Sequence, residues 1–210
     1  MTRRRRVRII YAGLPVPTAT RVLEGETLAA VLRRGPLDVE TAVRYASDIG
    51  DALDAAHASG TVHRALKPAS VIFTTAGAQL LDLDLAAPGP YTAPELLAGR
   101  PSDVRSDIFS FGAMFYEMLT GRRPITDDGV APPPPSTLNR EVPPAVDTVV
   151  ARCLATTPAD RWPTMRAVLN ALTVALHEPR ERRAAPRWSY AAAAAAMLLI
   201  VVAVGCPFIK

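Results

Sequence analysis

Across residues 27–177 the apolar positions fall at helical spacing, and glycine, proline and capping residues cut that pattern into pieces. Leu28, Val31 and Leu32 share one face of a first short helix, which Gly35-Pro36 stops. Asp38 is placed to cap a longer helix over 39–59. Its apolar stripe runs through Val39, Ala42, Val43, Ala46, Ile49 and Leu53, and Gly60 closes it. Residues 61–73 and 79–85 lose the helical period and read as short extended pieces about a turn at 75–77. A helical turn over 94–97 ends at Gly99. The stretch 106–120 is apolar nearly all round, through Ile108, Phe109, Phe111, Met114, Phe115, Met118 and Leu119, which predicts a helix buried on every side and terminated by Gly121. The Pro-rich stretch 131–144 predicts a loop, and two further helices are expected over 145–154 and 164–177.

The two ends read differently. Residues 1–22 are basic, then rich in Pro and Thr, and show no sustained period. Pro15 and Pro17 interrupt the start before any apolar run of about 7–15 residues develops, so a signal peptide is not expected. Near the other end, residues 190–206 carry no charge. As a helix they span about 26 Å, slightly short of a ~30 Å hydrocarbon core. Trp188 and Tyr190 suit a membrane interface, and Arg180, Arg182, Arg183 and Arg187 precede them. The expectation is a single-pass transmembrane helix over 189–209 serving as an anchor, with the preceding domain on the cytoplasmic side; a buried Ala-rich core helix is the alternative.

Charge sharpens this division. The formal net charge of +4 could point to nucleic acid, but the basic residues cluster at the ends, and residues 9–179 hold 14 Lys and Arg against 19 Asp and Glu. An acidic globular part flanked by Arg-rich ends fits a membrane surface and excludes a nucleic-acid groove. The two cysteines, Cys153 and Cys206, form no C-x-x-C pair and read as free thiols. Apolar residues make up 49% of the chain, enough for a packed core.

Six short motifs then occur in order: Leu23-Glu24-Gly25-Glu26-Thr27-Leu28; Val62-His63-Arg64-Ala65-Leu66-Lys67-Pro68-Ala69-Ser70-Val71; Asp82-Leu83-Asp84; Ala93-Pro94-Glu95; Ser106-Asp107-Ile108-Phe109-Ser110-Phe111-Gly112; and Asp160-Arg161-Trp162-Pro163. Each is weak alone. In this order, with helices between them, they resemble the C-terminal lobe of bacterial-type Ser/Thr protein kinases over about residues 23–176. The second is similar to the catalytic loop H-R-D-L-K-P-x-N, the third stands where that family has D-F-G, and the fourth matches A-P-E. The expected architecture is therefore mainly α: a protein-kinase-like C-lobe with small β elements over 23–177 and the N-lobe absent. An N-terminal arm (1–22) would precede it, and a basic juxtamembrane linker (178–188) and one C-terminal transmembrane helix (189–209) would follow.

The resemblance implies roles. In the family the loop aspartate accepts the substrate proton, the following lysine neutralises the transferring phosphate, and the loop asparagine and D-F-G aspartate hold Mg²⁺ beside ATP. Here Lys67 and Asp82 match, as a vestigial phosphate contact and a vestigial Mg²⁺ ligand. Ala65 stands at the base position and can accept no proton, a loss worth about 10²–10⁴-fold in rate. Ser70 replaces the asparagine, a shorter and weaker ligand for Mg²⁺, and Asp84 replaces the glycine. No Lys precedes Lys67 and no G-x-G-x-x-G occurs, so ATP and Mg²⁺ are expected to bind weakly or not at all. Structural roles are implied for His63 and Arg64, for a Glu95–Arg161 ion pair, and for Asp107 as acceptor of catalytic-loop N–H groups. Tyr91 and Thr92 are the hydroxyls nearest a phosphorylation position, with Arg64 a candidate partner for such a phosphate. The leading expectation is a membrane-anchored pseudokinase that binds a protein partner, such as another kinase. An active Ser/Thr kinase whose true start lies upstream, and a decaying gene remnant, are the alternatives.

Overall fold

The computed structural model describes residues 5–9, 21–75, 77–81, 89–124 and 131–177. Two antiparallel strands open it, β1 (Arg5–Ile9) and β2 (Arg21–Thr27), in register from Arg5↔Gly25 to Ile9↔Arg21. The end of β2 pairs in turn with β3 (Val71–Thr74), through Glu26↔Phe73 and Thr27↔Ile72. β3 then folds back on β4 (Gly77–Leu80), giving one four-stranded sheet in the order β1-β2-β3-β4. Gly77 takes a φ of 99° at that turn, where the Thr74 hydroxyl donates to its carbonyl.

Thr27 ends β2 and caps α1 (Leu28–Leu32), its hydroxyl accepting the Ala30 N–H at 3.2 Å. Asp38 caps α2 (Val39–Ala58) by accepting from Thr41 N at 2.8 Å, which holds its carboxyl below the usual carboxylate range. A short helix α3 (Pro94–Leu97) begins within the A-P-E motif, with Ala93 at its N-cap, and α4 (Val104–Thr120) runs through the middle of the domain. Gly121 ends α4 at a φ of 69°, its N–H bonded to Glu117 O. The Pro-rich stretch contains one helical turn, α5 (Pro135–Leu138), and α6 (Pro144–Cys153) and α7 (Met165–His177) complete the chain's described part.

The core forms where α4 meets α2 and α6, and where α7 closes over α2 and α6. From Ser106 to Phe115 every residue of α4 is buried, as its apolar circumference requires. Small residues set the helix separations. A Cβ added at Gly112 would lie 2.5 Å from Cys153 Cβ on α6, and one at Gly50 would lie 2.6 Å from Leu169 Cδ2 on α7. The first obstacle sits next to backbone, whereas the second is the far end of a flexible side chain. Gly112→Ala is therefore expected to lower stability by about 1–3 kcal/mol, and Gly50→Ala by less. Urea unfolding of the full chain checks this: the midpoint should fall further for Gly112→Ala, with the slope unchanged.

The expected fold class needs correction in two places. The arm expected over 1–22 has no sustained hydrophobic period, yet β1 and the start of β2 lie in it, because backbone pairing to a neighbouring strand supplies the order that so short an alternation as Arg6–Ile9 does not announce. The small β elements are thus one continuous sheet that reaches the N-terminal residues. The second correction concerns the membrane helix: among the described residues no helix is long and apolar enough to cross a membrane. The segment expected to do so, 189–209, lies outside the described residues.

Candidate active site

The loop joining α2 to the sheet is pinned from below by one carboxylate. Asp107, in the first turn of α4, is fully buried and accepts the N–H groups of His63 at 2.8 Å and Arg64 at 2.7 Å. Its Oδ2 also lies 2.9 Å from His57 Nε2. Those bonds hold Arg64 at a φ of 66°, a left-handed conformation costly for a side chain with a Cβ. Beyond that turn, Ala65 and Lys67 line one cleft.

The next turn is closed by Ser70. Its hydroxyl accepts from Lys67 N at 3.0 Å and donates to Lys67 O at 2.8 Å, and its side chain is fully buried beneath the Pro68–Ser70 turn. The oxygen that would face a metal ion is thereby committed to the loop's own backbone. Among the described residues no group of three or more His, Cys, Asp or Glu could hold a metal ion. Asp82 and Asp84 lie outside the described residues. The described part of the site therefore offers a cation, Lys67, to a phosphate, and does not fit Mg²⁺ at Ser70.

Opposite the loop lies the segment before A-P-E. Its residues 89–92 form a tight turn in which Thr92 N donates to Gly89 O and Gly89 N donates to the Thr92 hydroxyl, both at 2.9 Å. The Tyr91 hydroxyl donates to Glu117 on α4, and Ser110 donates to Tyr91 O at 2.7 Å. Burial, and then the Glu117 carboxylate, push the Tyr91 phenol far above its ordinary value, so it stays protonated. The cleft between loop and turn measures about 480 Å³ and is lined by Arg64, Ala65, Lys67, Tyr91, Thr92 and Arg123 among others. Of the two hydroxyls nearest a phosphorylation position, Tyr91 is tied to α4 and Thr92 to Gly89.

Behind that turn, Arg161 reaches from the Pro158–Asp160 turn to Glu95 on α3. The guanidinium makes two parallel bonds to the carboxylate, at 2.7 and 2.8 Å. Its three other N–H groups donate to the carbonyls of Ala155, Arg105 and Thr156. All five donors of the fork are thus used, and its face lies over the Phe109 ring. Ser106 adds a 2.7 Å bond to Glu95 Oε1. Burial by itself would raise the Glu95 carboxyl; the hydrogen bonds from Arg161 and Ser106 outweigh it and hold the group below the usual range. Cys153 is fully enclosed, and burial pushes its thiol up to about 12, which removes it as a nucleophile.

Several contributors to this site have no signature in the periodic pattern. His57 bonds the carboxylate that pins the loop, Ser106 bonds Glu95, and Ser110, Glu117 and Arg123 hold or line the opposing turn. Two signals were available: Ser106 and Ser110 stand in the motif around Asp107, and His57 sits at the end of α2, six residues before His63.

A buried helix that anchors a loop through its first-turn aspartate, and an A-P-E segment clamped by a distant arginine, define a protein-kinase C-lobe. The chain belongs to the protein kinase family: residues 18–172 match the protein kinase domain model. It is 35% identical to the serine/threonine-protein kinase Pkn1 of Myxococcus xanthus, over 74% of this chain and 27% of that one. It is also 35% identical to the serine/threonine-protein kinase PknE of Mycobacterium tuberculosis, over 78% of this chain and 34% of that one. The chain thus spans about a third or less of these relatives' length. Among solved structures, the Mycobacterium tuberculosis PknI kinase domain superposes with a TM-score of 0.65 at 28% identity, covering 73% of this chain and 63% of that domain. Pkn1 and PknE are bacterial Ser/Thr kinases, a family that uses ATP and Mg²⁺ in general.

Proposed function

We propose that this kinase-family chain is a pseudokinase, a protein-binding module that does not transfer phosphate. The observation that carries the reading is Ala65. Its methyl group lines the cleft beside Lys67 at the position of the family's proton acceptor. A methyl group neither accepts the hydroxyl proton nor orients the hydroxyl, and a positioned base is worth about 10²–10⁴-fold. Ser70 supports the same reading, since its hydroxyl serves the loop backbone on both sides. The partner of such a module is a protein, recognised across the cleft between the catalytic loop and residues 89–92.

The test is phosphoryl transfer from radiolabelled ATP, with Mg²⁺, by the full chain to itself and to a generic basic protein substrate. Incorporation should not rise above that of a heat-denatured control. Ala65→Asp alone should not restore it, because Ser70 remains closed on Lys67. Stoichiometric labelling by the unmodified chain would establish the active-kinase alternative instead.

A further inference from the structure

The same cleft carries a charge pattern that the loss of a proton acceptor does not by itself require. Three cationic side chains line it, Arg64, Lys67 and Arg123. Among the described residues the nearest carboxylates are Glu117, 3.9 Å from Arg123 and bonded to the Tyr91 hydroxyl, and Asp107, buried beneath the loop and taken up by its backbone N–H groups. Among the described residues, neither the Arg64 guanidinium nor the Lys67 ammonium has an anionic partner. In a competent kinase the wall between them bears the base carboxylate, whose charge repels a phosphorylated product. Here that wall is the uncharged methyl of Ala65.

Removing the carboxylate therefore does two things at once. It abolishes proton abstraction, and among the described residues it leaves Arg64 and Lys67 lining a cleft whose wall at position 65 is uncharged. Arg64 and Arg123 present planar forks suited to phosphate oxygens, and Lys67 adds a compact ammonium. The hydroxyls lining the cleft among the described residues, Tyr91, Thr92 and Ser110, are engaged within the fold, which favours a ligand from another chain.

We infer that this cleft is a phosphopeptide-binding site, which holds the phosphorylated serine or threonine of a partner protein between Arg64, Lys67 and Arg123. The inference rests on the pseudokinase reading, because a carboxylate base at position 65 would oppose it.

Fluorescence anisotropy with the full chain tests it, using a labelled phosphoserine peptide and its unphosphorylated twin. The phosphorylated form should bind at least about tenfold more tightly, and the difference should shrink as salt rises. Ala65→Asp should weaken phosphopeptide binding by about tenfold or more, while the near-isosteric Ala65→Asn should leave it within about twofold, which separates charge from bulk. Arg64→Gly provides a second arm: glycine suits the 66° φ at that position, so the fold is kept while one fork is lost and binding falls. Equal affinity for the two peptides, or equal effects of Asp and Asn at position 65, would overturn the inference. Either result leaves the transfer assay untouched, so failure here is distinct from failure of the pseudokinase reading.

Discussion

Arg161→Met is expected to destabilise the folded chain by about 3–5 kcal/mol, the range for removing one partner of a buried ion pair. Arg161 is 1% exposed and Glu95 is 6% exposed, so little water reaches the carboxylate left behind. The substitution also strands the carbonyls of Ala155, Arg105 and Thr156, which lose their charged donor. A lysine would offer a single ammonium in place of the fork, so Arg161→Lys should recover less than half of the loss. The double variant Glu95→Leu/Arg161→Met should cost less than the sum of its two single changes, since no uncompensated charge remains. Urea unfolding of the four proteins at neutral pH measures this cycle. An Arg161→Met protein within 1 kcal/mol of the parent, as an order of magnitude, would place the pair among the weak surface bridges and contradict its role as the clamp of the A-P-E segment.

The same pair makes stability depend on pH with a defined sign. The folded-state carboxyl of Glu95 titrates below its unfolded value. Its contribution is therefore fully present above the unfolded glutamate range and is lost as pH falls through the lower, folded value. Acid unfolding of the parent should be steeper than that of Glu95→Gln, where no proton is taken up at this site.

Asp107→Ala carries the second large effect. One carboxylate accepts two backbone N–H groups and faces the ring of His57, and its removal leaves three partly buried groups without that partner. Each lost partner costs about 1–3 kcal/mol, so a loss of about 3–5 kcal/mol is expected. A local consequence accompanies the global one. The left-handed Arg64 is held by its bond to Asp107, and strained backbone of this kind persists only where surrounding bonds enforce it. Amide exchange at His63 and Arg64 should therefore accelerate far more than exchange in α4. Uniform acceleration through both would mean that Asp107 supports the core generally and does not pin the loop. Asp107→Asn is the finer probe: its amide oxygen can replace one acceptor, but its NH₂ then opposes a backbone N–H, so it should recover only part of the loss.

Most helices were legible in the sequence because each is written locally. The stripe from Val39 to Leu53 and the Asp38 cap place α2 at Val39–Ala58, against an expected 39–59. The all-round apolar run predicts a buried α4, whose observed start lies two residues earlier because Asp103 is the cap, accepting from Arg105 N. β1 was not legible. Its alternation, Arg6-Val7-Arg8-Ile9, is only four residues long amid a run of arginines, and pairing with residues 21–25 is what makes that stretch a strand. The Pro-rich stretch hid α5 for a similar reason: Ser136 N–H and hydroxyl both bond to Asp147, eleven residues away on α6. The transmembrane helix expected from an uncharged run with aromatic and arginine flanks has no counterpart among the described residues.

What the sequence by itself determined is identity and order: which residue stands at each motif position, hence the kinase family, the alanine at position 65 and the serine at position 70. Those facts are one-dimensional and survive without coordinates. Only the tertiary structure decided what each group is bonded to. Ser70 could have faced solvent or metal, and it is folded onto Lys67 instead. Arg123 lies 56 residues from Lys67 in sequence and on the same cleft in space. Hydrogen bonds and charge act over a few ångströms of space, and a chain that doubles back brings together groups whose separation in sequence carries no trace of that contact.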